Sequence, residues 1–540
     1  MVFEILDRDL AGRIGRFHTR RGSLETPLFL PVVNPAIQPF SAEEMQRKLG
    51  CQAIIANAFL LRKRFARQVT QQGIHRFLGF NGTIMTDSGG YQILVYGDVD
   101  VTPEAIARFQ EDIDTDIAVI LDIPTGWNAS RERAEYTVQE TLRRAKLTLN
   151  MRAKDDLLWE GPVQGGTHLD LVTTSAKQIG SMDFDLFALG SPTQVIERYR
   201  FDILVEMIVA AKMQLPAGKP LHLFGAGHPF MLSFAVALGC DIFDSAAYAL
   251  FARQGKYLTE YGTLALRDLR QFPCSCEVCT SHTPQSLLAM HPKDRERLLA
   301  WHNLIACFTE INRIKQAIKT GRLWELLELR ARSHPSLLRA LHCFGKYANF
   351  LEAGTPISKP KGLLFYDATS LARPEITRYR RKILSWVPPS RASILVLLPH
   401  PPSKPFHRSK EYKQTRKTLW DTLGNDMTKV HMMTYGAPYG IIPFELDDIY
   451  PLSQTELAIP LDAATEESVA HLVIQYVNHH PAYRMVILQC DLVFSEHIKH
   501  AWNIDPASTK LIVLPPMENT FGELALNHLT EALDIAFKTY

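Results

Sequence analysis

The sequence predicts an α/β protein built on a (β/α)8 TIM barrel, with a metal-binding helical insertion and then two small α/β or α+β accessory domains. Three observations predict it. Asp87, Asp122 and Asp244 each close a short β-branched or apolar run, namely Thr83–Asp87, Ile117–Asp122 and Asp241–Asp244. Carboxylates at the carboxyl ends of different strands, with helices between them, are how such a barrel assembles a reactive site. Strand-like runs alternate with amphipathic segments over the first 250 residues, the pattern of α/β folds. Finally, Cys274, Cys276 and Cys279 follow Pro273 at a metal-ligand spacing rather than a disulfide spacing.

The candidate barrel strands, in order, are Leu28–Val33, Ala53–Asn57, Thr83–Asp87, Ile117–Asp122, Pro162–Gln164, Asp185–Leu189, Leu221–Phe224 and Asp241–Asp244. Their ends are repeatedly polar: Asn57, Asp87, Asp122, Gln164 and Asp244. Segments 102–114 and 130–155 read as amphipathic helices, and Ser41 with Glu44 as a capping box opening the helix after the first strand. A doubly wound open sheet is the structural alternative, but it needs fewer strands and distributes functional residues differently. Residues 295–353 are helical in pattern. The Pro-, Gly- and Lys-rich stretch Gly354–Lys361 reads as a linker. An α/β module begins at Leu363 and contains Ile394–Leu398. A turn-rich stretch, Tyr435–Pro443, leads into a last unit with strands Met485–Leu488 and Leu511–Leu514 and a final helix, Leu524–Lys538. The expected domains are 1–353, a barrel carrying the metal site at 274–302; 354–430, basic; and 431–540, acidic.

A chain of 540 residues is too long for one ordinary core, so two to four domains are expected. With 46% hydrophobic and 21% charged residues the composition is globular. No apolar run reaches the roughly 18 residues of a membrane span, and the start, with Glu4 and Asp7, lacks a basic-then-apolar signal. A cytoplasmic location without membrane attachment is expected. Eight cysteines, three of them clustered, argue against a disulfide scaffold.

The net charge of +2 hides an asymmetry. Residues 359–429 hold 15 Lys/Arg against 5 Asp/Glu, whereas residues 430–540 hold 4 against 14. A basic module beside a nearly neutral body points to a polyanionic partner, most simply nucleic acid. The alternative is that the two segments neutralise each other across an interface.

Three thiolates need a fourth ligand. His302 lies 23 residues after Cys279 in a helical pattern, with His282, His291 and Cys307 as competitors. A Cys3His set would close a tetrahedral zinc shell with no open position, so the site would be structural. In Thr86-Asp87-Ser88-Gly89-Gly90-Tyr91-Gln92, two glycines would let the backbone approach a ligand and Tyr91 would offer a face for stacking a planar base. A tight turn with a capping Asp reads equally well. The same ambiguity attends Val163-Gln164-Gly165-Gly166 and Leu223-Phe224-Gly225-Ala226-Gly227; the latter is too short to claim a dinucleotide site.

As an ordered set, TDSGGYQ, the strand-end Asp122, VQGG, LFGAG, FDS, CxCxxC and a distant His-Asn-Leu resemble the tRNA-guanine transglycosylases over residues 1–350. Details resemble the archaeal branch, the archaeosine tRNA-ribosyltransferases: LDIPTG around Asp122, ALGSP at 188–192 and FDSAAYALFAR at 243–253. HPPSKPF at 400–406 and YGIIPFELDDIYPLSQ at 439–454 are similar to that branch's accessory domains. The branch commonly ends in a PUA-type RNA-binding domain, which is expected to be lacking here.

The resemblance implies a pentosyltransferase acting in archaeosine biosynthesis. It would exchange the guanine at position 15 of the tRNA D-arm for free 7-cyano-7-deazaguanine (preQ0) through a covalent aspartyl-ribosyl intermediate. Asp244 matches the nucleophile and Asp87 the general acid/base. Asp122 with Gln164 would read the guanine-like edge, and Ser88, Tyr91, Ser191 and Phe224 would complete the pocket. The resemblance selects His302 as the fourth zinc ligand, giving one structural zinc per chain. A homodimer is expected, and so is a separate small basic PUA-type RNA-binding protein docking on the acidic module, because the branch's architecture continues where this chain stops and residues 430–540 are unsuited to binding RNA. The alternative is that the barrel and the 359–429 module suffice alone. Turning the target base out of the tRNA needs a basic surface, and Lys/Arg at 251–256 and at 378–382 are the candidates. The rival readings are a queuine-type enzyme acting at the anticodon, a non-catalytic tRNA-binding subunit and an archaeosine-forming amidotransferase. The intact set of three aspartates disfavours the last two.

Overall fold

The computed structural model of the protein describes residues 2–90, 101–491, 494–504 and 509–539. The chain divides into two compact units, Met1–Thr355 and Pro356–Tyr540.

In the first unit, an antiparallel sheet of β1 (Phe3–Asp9), β2 (Gly12–Thr19) and β3 (Gly22–Thr26) precedes the barrel. Eight parallel strands then close on themselves: β4 (Leu28–Val33), β5 (Ala53–Asn57), β6 (Thr83–Asp87), β7 (Ile117–Val119), β8 (Leu158–Val163), β9 (Leu186–Leu189), β10 (Leu221–Leu223) and β11 (Ile242–Ser245). β11 pairs back onto β4, with Asp244 opposite Leu30. These strands are nearly continuous apolar runs because helices cover the outside while side chains fill the inside. Four of the helices start where a short polar side chain accepts an otherwise orphaned backbone N–H: Ser41 caps 42–49, Asn57 caps 58–72, Thr102 caps 103–112 and Ser130 caps 131–151. A hairpin of β12 (Lys256–Thr259) and β13 (Gly262–Ala265) and a 29-residue helix, Pro292–Thr320, follow the barrel. Among the described residues, no helix is long and apolar enough to cross a membrane.

The sequence reading did not anticipate β1–β3. Phe3, Phe17 and Leu24 of that sheet join inward-pointing barrel residues Leu30, Ala53, Ile55, Met85, Ile117, Val119, Leu186 and Ile242 in one core. Two arginines fix the sheet in place. Arg20 donates to Asp116 at 2.7 Å and to the carbonyls of Asp114 and Thr115. Arg13 forks onto Asp241 with two 2.7 Å bonds and also donates to the carbonyls of Ala217 and Lys219.

The second unit carries β14 (Leu363–Phe365), β15 (Ile394–Pro399), β16 (Val430–Gly436), β17 (Gly440–Pro443), β18 (Thr455–Leu457), β19 (Met485–Leu488) and β20 (Lys510–Val513). Five of them form one sheet in the order β17-β16-β15-β19-β20. Alternate residues of its central strands enter two cores: Leu395, Leu397, Met433, Val486 and Leu488 face the helix 463–479, and Val396, Leu398, Met432 and Ile487 face the helix 523–539. This corrects the boundary drawn at residue 430. That point falls between hydrogen-bonded neighbours β15 and β16, so basic and acidic segments build one layer. The stretch read as turn-rich, Tyr435–Pro443, includes the antiparallel β16–β17 pairing.

Replacing Arg13 with Ala would leave Asp241 fully buried without its bidentate partner. We expect a loss of about 3–5 kcal/mol. Arg16→Ala, which breaks an exposed pair with Glu4, should cost no more than about 1 kcal/mol. Thermal unfolding midpoints of both variants measure the difference; equal shifts would show that the buried pair does not seat the sheet.

Candidate functional site

Strand parity puts Asp87 and Asp244 at one mouth of the barrel. In β5 and β6 the residues Ala53, Ile55 and Met85 point inward, so two residues further on Asn57 and Asp87 point inward at the carboxyl ends. Ile242 is inward in β11, and Asp244 follows by the same step. Asp122 lies just past β7. Asp87, Asp122 and Asp244 all line one cavity of about 850 Å3, a volume within the range of small-molecule sites.

Their environments differ. Asn57, already the cap of its helix, donates Nδ2 to Asp87 at 2.7 Å. Burial, followed by the charge of Asp122, pushes the Asp87 carboxyl up to about 7. Asp122 is 5% exposed and accepts from Gln164 Nε2 at 2.5 Å. Burial raises it to about 6 against that hydrogen bond. Asp244 Oδ1 accepts from the Gly225 N–H at 2.9 Å and faces His222 Nε2 at 3.1 Å. Gly225 reaches this position with φ of 68°, which glycine adopts at little cost.

The amide of Gln164 has one orientation. Its oxygen accepts from the Thr125 N–H at 3.0 Å and the Ser191 hydroxyl at 2.9 Å, so its nitrogen faces Asp122. Ser191, itself at φ of 64°, lines the cavity with Phe224. Gln164 lies behind Asp122. Ser88, expected in the pocket, is fully buried and donates its hydroxyl to the Ile120 carbonyl at 2.8 Å. Gly90 packs against Asp122 so closely that a Cβ would collide with Oδ1. Tyr91 lies outside the described residues.

Of the basic candidates, Arg253 and Lys256 line the cavity. In the 378–382 run, Arg381 and Lys382 are exposed, but Arg380 is spent on the Pro438 carbonyl and the Ser468 hydroxyl. The sequence reading missed another set. Arg62, Lys63, Arg64 and Arg67 are exposed on helix 58–72, which contains no acid, and Arg64 lines the cavity. It also missed a buried pair, Glu160 of β8 and His222 of β10. Both are fully buried and 3.1 Å apart, with the imidazole between Glu160 and Asp244. The readable signal was a charged side chain at an inward position of an apolar strand. Starting that strand at Pro162 left Glu160 outside it.

Cys274, Cys276, Cys279 and His302 offer four ligand atoms within 4.8 Å of one another and could hold a metal ion. His302 Nδ1 is 3.5 Å from the sulfurs of Cys276 and Cys279, while its Nε2 donates to the Leu258 carbonyl at 3.0 Å. That second bond fixes which nitrogen is free to ligate. Tyr257 stacks on the ring with centroids 3.7 Å apart, and Asn303 holds the same hairpin through Leu258 and Lys256 and the helix 247–253 through the Tyr248 carbonyl.

Comparison with known proteins agrees with this geometry. The family model described as "Queuine tRNA-ribosyltransferase" matches residues 8–336, and one described as "Domain of unknown function (DUF5591)" matches 376–533. The chain is 47% identical over 381 residues to the tRNA-guanine(15) transglycosylase of Aeropyrum pernix, covering 70% of this chain and 74% of the relative. It is 42% identical over 471 residues to the protein of that name from Methanocaldococcus jannaschii, covering 85% and 68%. With that of Pyrobaculum aerophilum it shares 41% identity over 470 residues, covering 86% and 92%. The chain thus belongs to the queuine tRNA-ribosyltransferase family and is an enzyme of the pentosyltransferase class.

Proposed function

We propose that the protein exchanges the guanine at position 15 of the tRNA D-arm for free 7-cyano-7-deazaguanine, through a ribosyl ester on Asp244. The observation that carries this reading is the set of three carboxylates in one cavity, each held differently. The name of the archaeal relatives supports position 15 over an anticodon target.

Asp122 would accept the N1–H and 2-amino hydrogens of a guanine-type base. The Gln164 amide holds it in place through Nε2, and adenine, lacking those donors, would leave the buried carboxylate unpaired. Asp244 would attack C1′ as the C1′–N9 bond breaks, and Asp87 would give its proton to the departing guanine. The incoming base would then return a proton to Asp87 as its N9 displaces Asp244. Two displacements retain the configuration at C1′. A carboxyl near 7 suits both directions of that proton transfer. The cations of helix 58–72 with Arg253 and Lys256 would contact tRNA phosphates beside the cavity.

Cys274, Cys276, Cys279 and His302 would hold one zinc ion. Three thiolates and one imidazole fill a tetrahedral shell, so the ion would supply structure and no open coordination position.

Asp244→Ala should abolish exchange and the trappable enzyme–tRNA adduct while keeping tRNA affinity within about threefold, because phosphate contacts dominate that affinity. Labelled guanine released from D-arm but not anticodon substrates tests the target; release from the anticodon would overturn it.

The pH dependence has a definite sign. Asp122 must be ionised to accept, which fails as pH falls through about 6. Asp87 must carry its proton, which fails as pH rises through about 7. We expect kcat/KM for tRNA to peak between these limits, and a profile flat from about 5.5 to 8 would refute the assignment.

Cys276→Ala should release about one zinc per chain and lower the unfolding midpoint. Elemental analysis decides this: wild-type protein without zinc, or a variant that keeps it, contradicts the ligand set.

A further inference from the structure

We propose that Glu160 and His222 are positioning residues that hold Asp244 with Oδ1 occupied and Oδ2 as the atom that attacks the ribose. The proposal rests on Asp244 being the nucleophile, as argued above, and adds which oxygen acts and what fixes it.

Both nitrogens of His222 face carboxylates, Nδ1 toward Glu160 Oε1 and Nε2 toward Asp244 Oδ1, each at 3.1 Å. A neutral imidazole has one N–H and could serve only one of them. Burial raises the Glu160 carboxyl against the pull of His222, and the ring can donate to both carboxylates at once only in its doubly protonated form. Burial opposes that charge, but Glu160 and Asp244 outweigh it and raise the ring to about 9. Asp244 Oδ1 then receives two donors, the imidazolium and the Gly225 N–H at 2.9 Å. The carboxylate cannot rotate without losing both, and Oδ2 is left toward the cavity that Asp244 lines.

Stability does not explain this arrangement. Barrel interiors are filled by branched apolar side chains, and apolar residues of similar volume often replace a buried ion pair at no cost or with a gain. Glu160 and His222 are both fully buried inside the barrel, and His222 lies against the one aspartate that would form a bond to substrate. The chemistry gives them a use. When Oδ2 bonds to C1′, Oδ1 becomes the ester carbonyl oxygen. The same two donors would polarise that carbonyl and stabilise the carboxylate as it leaves in the second displacement, with no proton transferred. Glu160 would keep the ring oriented by accepting from Nδ1.

Single-turnover kinetics on the full-length protein with tRNA and free base test this, following adduct formation and adduct consumption separately. His222→Phe should slow both by about 10²–10³-fold, the cost of losing one preorganised donor. Its affinities for tRNA and free base should stay at wild type, while its unfolding midpoint falls because Glu160 is left buried without its partner. The double variant Glu160→Leu/His222→Phe, which removes the pair whole, should lose the same rate and keep its midpoint. His222→Gln, which keeps an N–H, should recover part of the rate, and Glu160→Gln should fall between. Wild-type rates in His222→Phe would overturn the proposal. So would a double variant whose rate loss comes with a lower midpoint and weaker base binding, the signature of a purely structural pair. Histidine-labelled protein gives an independent check, since both His222 nitrogens should be protonated at neutral pH and a neutral ring would overturn the assignment. Mapping the adduct to a residue other than Asp244 would remove the reading of the nucleophile and this proposal with it.

Discussion

Closure of the barrel is the constraint on which everything else depends. The β11–β4 pairing converts eight strands into a ring, and strand parity then decides which side chains meet at its mouth. Asn57, Asp87 and Asp244 converge because each continues an inward-facing register. Closure also excludes water, so carboxylates on neighbouring strands cannot all ionise freely. The separation of Asp87 near 7 from Asp122 near 6 is a product of that confinement, each carboxyl being tuned by one side-chain amide and one backbone N–H. An open sheet with the same residues at its strand ends would leave them in solvent with ordinary, nearly equal acidities.

The eight strands were legible because a parallel barrel buries both faces and writes itself as continuous apolar runs. The aspartates were legible because each ends such a run. What remained hidden depends on partners distant in sequence. Ser88 could not be seen turning away from the cavity, because the carbonyl that takes its hydroxyl belongs to Ile120. The direction of the Gln164 amide is set by Thr125 and Ser191. Glu160 is hidden for a simpler reason: proline donates nothing to a ladder and is usual at a strand's first residue, which marks Pro162 as a start, whereas β8 runs through it from Leu158 to Val163. The charge asymmetry of the last 180 residues was read correctly as a count but wrongly as a boundary, since strands from both segments share one sheet.

The four-residue Cys/His group shows how a site remote from the chemistry can shape it. His302 touches two structures at once, the thiols through Nδ1 and the β12–β13 hairpin through Nε2. Thr263, Leu264 and Ala265 of that hairpin form part of the cavity wall. The wall is thereby held by an imidazole whose orientation the thiol group determines.

The central sheet of the second unit has a consequence for the order in which the chain is made. β15, with all six residues buried, lies between β16 and β19. A ribosome delivers it well before either neighbour, and β19 begins about 90 residues later. At typical elongation rates that is roughly 5–20 s during which an apolar strand has an unpaired edge. During this interval the nascent chain is most exposed to mispairing with other chains, and a pause in translation between residues 430 and 485 would lengthen it.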